Sequence, residues 1–283
     1  MDIPDYLVVG HVTRDLLPGG GFGLGGTATY AAATARALGY RVAVLTSAGS
    51  DLCLDAAFDG VALHVVPAER STTFENIYYD GRRLQYVRAT AERLSPRELP
   101  PAWRQARIVH LGPLVQEVGP EWVDLFGPPT LIGITPQGWL RRWDADGRVL
   151  PQAWETAEPI LARADAMVLS REDVGNDEAE LARYLALSRL TAVTQSWQGA
   201  TLYLEGRSLS FPAYNVPEVD PTGAGDVFAA AFFIRLSETR DPCEAARFAN
   251  AAASFSVTGT GTSAIASRPA VEERLRNGPL RQA

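Results

Sequence analysis

Lysine is absent from all 283 residues; every one of the 26 basic side chains is an arginine. A phosphate loop ending in Gly-Lys-Ser/Thr, the strand lysine of protein kinases, and the lysine amines of pyridoxal phosphate enzymes and Schiff-base aldolases are therefore excluded. Any phosphate chemistry must rely on backbone N–H groups, arginine or a metal ion. Cysteine is nearly as scarce. Cys53 and Cys243 stand far apart without metal-ligand spacing, which argues against a disulfide framework and for a reducing compartment. The three histidines, His11, His64 and His110, lie in or just after strand-like runs and show no zinc spacing. There is no Gly-x-Ser-x-Gly elbow for acyl transfer. No apolar stretch is long enough to span a bilayer, and no basic leader precedes the first apolar run, so a soluble cytoplasmic protein is expected. The net charge of −7 argues against nucleic-acid and anionic-membrane partners. On that balance the pairs Arg82-Arg83 and Arg141-Arg142 read as solvated surface first, with a local contact to a phosphate as the alternative.

What is present is an alternation of strand-like and helix-like runs, the pattern of a parallel sheet wrapped by helices. Strands are expected over 6–10, 41–47, 61–66, 107–111, 130–134, 166–169 and 191–195. Helices are expected over 27–38, from near 50, and over 151–164, 177–188, 224–236 and 242–257. No internal repeat stands out, and the length fits one α/β unit over 1–283. One segment breaks the alternation. Residues 71–79 and 82–89 are strand-like runs joined at Asp80-Gly81, a strong two-residue hairpin signal. Such a hairpin is either an ordinary surface insertion or a cover over a site.

Asp220-Pro221-Thr222-Gly223-Ala224-Gly225-Asp226 puts two glycines and a carboxylate at the mouth of the apolar run 227–236. A helix starting there aims free N–H groups and the positive end of its dipole at whatever lies in front of it. The plain alternative is a turn closed by an aspartate cap. Asp15, a few residues past the first strand, and Gly25-Gly26, at the start of the next helix, fall at the carboxyl edge of the sheet, where α/β proteins bind ligands. An aspartate accepts strongly from hydroxyls and a glycine pair lets a ligand approach the backbone, so these residue types suit a polyol.

The segment 220–226 resembles the C-terminal signature of the PfkB carbohydrate kinase (ribokinase-like) family. The resemblance implies a three-layer α/β/α fold with a mostly parallel sheet and a small β-sheet lid formed by about 71–89, with 11–24 a candidate to join it. It implies ATP and Mg²⁺ as cofactors, an anion hole from Gly223, Ala224 and Gly225, and Asp226 as catalytic base. By the same resemblance Asp15, Gly25, Gly26 and Thr27 bind the acceptor. Ser170-Arg171-Glu172-Asp173 stands where the family shows Asn-x-x-Glu, so Ser170 faces the nucleotide while Asp173, with Glu172, holds magnesium through water. Helix capping by Ser170 explains the same residues equally well. Thr194-Gln195-Ser196-Trp197-Gln198-Gly199 takes the place of Thr-x-Gly-x-x-Gly, assigning Thr194, Ser196 and Gly199 to the donor phosphates. Asn250 would meet the base edge.

Two departures matter. Tyr30 replaces an asparagine that binds the acceptor in many sugar kinases of the family. Thr135 replaces the usual aspartate after its strand, and the turn beyond carries Gln137, whose amide would bond an acceptor hydroxyl. Together they make the chain closest in appearance to the myo-inositol kinase branch. The expected activity is phosphoryl transfer to a hydroxyl of a sugar or polyol by a monomer or homodimer. The alternatives are a nucleoside kinase and a degenerate, non-catalytic nucleotide or sugar sensor.

Overall fold

The computed structural model describes residues 2–79 and 82–281. In chain order its strands are β1 (Tyr6–Val9), β2 (Thr13–Leu16), β3 (Phe22–Gly25), β4 (Val42–Ala48), β5 (Ala62–Pro67), β6 (Thr73–Tyr79), β7 (Arg82–Ala89), β8 (Ile108–Leu111), β9 (Leu131–Ile134), β10 (Arg141–Trp143), β11 (Val149–Pro151), β12 (Ala166–Ser170), β13 (Leu190–Thr194), β14 (Ala200–Leu204) and β15 (Arg207–Phe211). The α-helices are α1 (Thr27–Ala37), α2 (Ala157–Leu161), α3 (Glu178–Leu187), α4 (Ala224–Thr239), α5 (Pro242–Ser256) and α6 (Arg268–Asn277).

A nine-stranded sheet runs in the order β15-β14-β13-β12-β9-β8-β1-β4-β5. It is parallel from β13 to β5, with β14 and β15 added antiparallel at one edge. β1 shows why its strands read as continuous apolar runs. Tyr6 and Val8 join one core with α1, α4 and α5, while Leu7 and Val9 join the other, so both faces are buried. The second core holds Trp103, Trp122, Trp139 and Trp154, and is covered by short 3₁₀ turns together with α2 and α3. This is the expected three-layer α/β/α arrangement. Because β1 lies between β4 and β8, the chain winds away from it in both directions. A crevice opens there at the carboxyl ends of the strands.

The cover over that edge is larger than a hairpin. β3-β2-β6-β7 form a separate four-stranded sheet in which β2 runs parallel to β6, so 13–16 and 22–25 share a sheet with 73–79 and 82–89. β6 and β7 pair with Tyr79 opposite Arg82; the Asp80-Gly81 turn itself lies outside the described residues.

Several expectations need correction. No helix forms near residue 50, where Asp51 instead accepts from the backbone and hydroxyl of Ser71. The helix expected over 151–164 shortens to α2 because 149–151 pair with β10 as a two-stranded ribbon. α6, β14 and β15 carry too little apolar periodicity to be seen in advance. Among the described residues no helix is long and apolar enough to cross a membrane.

Candidate active site

A cleft of about 860 Å³ opens at the carboxyl edge of the sheet, between the lid and the start of α4. Asp15, Gly26, Gln137, Ser170, Glu172, Asp173, Thr194, Ser196, Gly199, Gly223, Ala224, Gly225, Asp226 and Asn250 all line it, so most of the predicted positions converge although they are scattered along the chain. Gly25 and Thr27 do not. Gly25 is buried under Asp15, and a Cβ built on it would lie 2.1 Å from Asp15 Oδ2, so the glycine makes room for the carboxylate rather than for a ligand. Thr27 is 1% exposed, and its hydroxyl donates to Asp226 Oδ1 at 2.7 Å.

At the start of α4, Gly223 holds φ at 78° and the Tyr30 ring rests on its Cα. Ala224 N–H is already spent on Pro221 O at 3.2 Å, which corrects its place in the anion hole. Among the described residues, no protein acceptor takes the N–H of Gly223 or Gly225. These two groups and the first turn of α4 make the anion-seeking surface. Asp226 follows directly, its open side facing the cleft rather than bulk water. Burial raises its pKa to about 6 against the opposing Thr27 hydrogen bond, with the Asp173 and Asp15 charges adding to the rise and Arg141 countering it.

On β2, Asp15 is set by a hydrogen bond from Thr13 Oγ1 at 2.8 Å. Gln137 lines the cleft, but its amide donates to Asp173 Oδ1 at 3.1 Å rather than standing free. The turn that carries it is anchored by Trp139, whose indole N–H donates to Val118 O at 2.7 Å and whose ring stacks on Trp154 at 4.7 Å. Arg141 leaves the same turn into the cleft while Arg142 stays exposed, so only half of that arginine pair is solvated surface. Phe74, Gln85 and Leu114 were missed by sequence reasoning. Strand and loop residues of a lid carry no local signal of what they face.

Beside β12, Asp173 Oδ2 accepts from the backbone and hydroxyl of Ser170 at 2.7 and 2.9 Å, so Ser170 caps the turn as well as lining the cleft. Glu172 is exposed in the same 3₁₀ turn. Among the described residues no third His, Cys, Asp or Glu gathers with them. Two hard oxygen donors with open surroundings fit an ion that keeps most of its waters, as magnesium does. Ser196 adopts φ of 52°, the left-handed backbone that a glycine would take without strain. Asn250 is buried, and its amide N–H groups go to Phe211 O and Pro212 O at 3.1 and 3.3 Å. It braces the cleft wall, which corrects its expected role as a donor to a base edge.

The model of the pfkB family carbohydrate kinases matches residues 148–269, the part that carries α4 and the turns at 170–173 and 194–199. Over that span the chain is similar to the family. It is 26% identical over 255 residues to a cytidine kinase of Thermococcus kodakarensis, covering 83% of this chain and 90% of that one. A ribokinase of Bacillus subtilis is 42% identical over 84 residues, which span 29% of each chain. Among solved structures, a pyrophosphate-dependent kinase in the ribokinase family, complexed with a pyrophosphate analog and myo-inositol, superposes with a TM-score of 0.77 at 21% identity. That superposition covers 95% of this chain and 99% of the other, and speaks to the fold.

Proposed function

We propose that this chain is a pfkB-type kinase that transfers the terminal phosphoryl group of ATP to a hydroxyl of a sugar or polyol, with a myo-inositol-like acceptor the first candidate. The observation that carries the reading is that one cleft holds Asp226, the open N–H groups of Gly223 and Gly225, Asp15 and the Ser170–Asp173 turn. As the acceptor oxygen bonds to phosphorus and the bridging bond of the donor breaks, the hydroxyl proton passes to the Asp226 carboxylate. A pKa of about 6 leaves that carboxylate ionised at neutral pH yet more basic than an exposed one. The two glycine N–H groups and Arg141 face the charge on the transferring group. Asp173 and Glu172 would hold Mg²⁺ through water; the ion's contribution is to neutralise the donor phosphates.

A nucleoside acceptor is the second reading. The Tyr30 and Phe74 rings and Leu114 give the cleft an apolar wall suited to a base, and the similar Thermococcus protein is a cytidine kinase. A transfer screen over inositols, pentoses, hexoses and nucleosides, each with ATP and with pyrophosphate, separates the possibilities. A phosphorylated polyol with ATP is expected. Product from nucleosides alone moves the acceptor to the second reading, product from pyrophosphate alone changes the donor, and binding without product leaves a sensor. Asp226→Asn is expected to lower turnover at least ~10²-fold. Near-normal turnover in that variant would end the base assignment.

A further inference from the structure

The Thr27–Asp226 hydrogen bond joins residues 199 apart in sequence and ties the first turn of α1 to the first turn of α4. Thr27 is shut off from the cleft, so this hydroxyl has no ligand to serve. Its seat is built. A Cβ on Gly112, at the end of β8, would lie 2.5 Å from the Thr27 methyl, so that position admits only a glycine beneath the β-branched side chain. A threonine so packed has little rotamer freedom. An ionised carboxylate only accepts, so the hydroxyl must be the donor, and Asp226 Oδ1 is occupied. Its other oxygen is left for the cleft.

We infer that Thr27 is a positioning residue for the base: it fixes the Asp226 carboxylate so that Oδ2 meets the acceptor hydroxyl, and it favours the ionised form. Thr27 keeps its own proton throughout; the acceptor's proton goes to Oδ2. The inference rests on the kinase reading given above. The other groups whose charge acts on Asp226 are Arg141 from β10, Asp15 from β2 and Asp173 beside β12. Tyr6 on β1 and Tyr30 on α1 also feel it, and burial raises both phenols well above their ordinary range, so they stay neutral.

The test compares Thr27→Val, which keeps the shape without the donor, and Thr27→Ser, which keeps the donor. Two readouts are used: steady-state transfer, and titration of the Asp226 side-chain carbon by NMR, assigned by its loss in Asp226→Asn. In Thr27→Val the Asp226 midpoint is expected to rise by about one pH unit and kcat to fall about tenfold, with acceptor KM within about twofold, since one charge-assisted hydrogen bond is removed. Thr27→Ser should restore both. An unshifted midpoint in Thr27→Val, a serine variant no better than the valine one, or a loss confined to KM would overturn the inference. A shifted midpoint in a protein whose wild type transfers no phosphate supports the pairing and counts against the kinase reading instead.

Discussion

At the scale of single residues, Tyr30 changes meaning once its surroundings are known. Where the family carries an acceptor-binding amide, this chain puts a ring whose edge is the floor under Gly223. A Cβ there would lie 2.3 to 2.5 Å from three ring atoms, at a backbone angle of 78°. Gly223→Ala therefore combines left-handed strain with overpacking and should cost roughly 2–4 kcal/mol in urea unfolding, with transfer lost. Adding Tyr30→Val should return the overpacking share and leave the backbone share. If the two substitutions prove additive, the ring is not what Gly223 accommodates. Resemblance alone offered Tyr30 only as a missing amide, because a ring seated on a glycine 193 positions later has no signature in either local sequence.

At the scale of elements, the loop after β8 is held by an unusual device. Glu117 is 2% exposed, and its carboxylate accepts the backbone N–H groups of His11, Leu114 and Val115 at 2.8 to 3.0 Å. Among the described residues no cation pairs with it. Gln at this position would turn donors toward donors. Glu117→Gln should lower stability by about 2–4 kcal/mol, read as a fall in urea midpoint at unchanged slope. An unchanged midpoint would show the carboxylate to be dispensable. Nothing in the sequence marked Glu117, since an acidic residue in a loop reads as solvated. The parallel strands and α4 were legible because burial on both faces, or all round, writes a long apolar run. The tryptophan layer of 3₁₀ turns was not, because its anchors are single indoles bonded to distant carbonyls, such as Trp122 to Leu94 O at 3.2 Å. The same limit applies to the cleft: residues at ends of strands and helix starts were foreseen, while Phe74 and Gln85, placed by the separate four-stranded sheet, were not.

At the scale of the whole molecule, one buried and one half-buried group set opposing responses to acid. His110, bonded to Tyr6 and Thr135 beneath α4, has its pKa pushed down to about 3 by burial. The unfolded chain takes up that proton from about pH 6.5 downward while the native protein refuses it, so this contribution is complete above 6.5 and lost as pH falls. Asp226 acts in reverse. Between about pH 4 and 6 the native protein keeps a proton that the unfolded chain has released, so stability declines as pH rises through that window. Each slope is about 1.4 kcal/mol per pH unit, and over the shared window they cancel. Asp226→Asn should unmask the histidine: its stability should climb from pH 4 to 6 more steeply than wild type by about that amount per unit. Parallel curves from urea melts across the window would refute the assignment.

The helix that carries the proposed base is also sunk in the core. Val227 through Ile234 are all buried, wedged between the sheet and α5, so the anion-seeking end of α4 inherits the rigidity of the core. Its amides are expected to exchange with deuterium only through global unfolding, as the last in the molecule to do so. Geometrically, the first turn of α4 is then the fixed origin of the proposed transfer. Donor and acceptor must be brought to it, and tolerance for different partners has to reside in the walls that surround it.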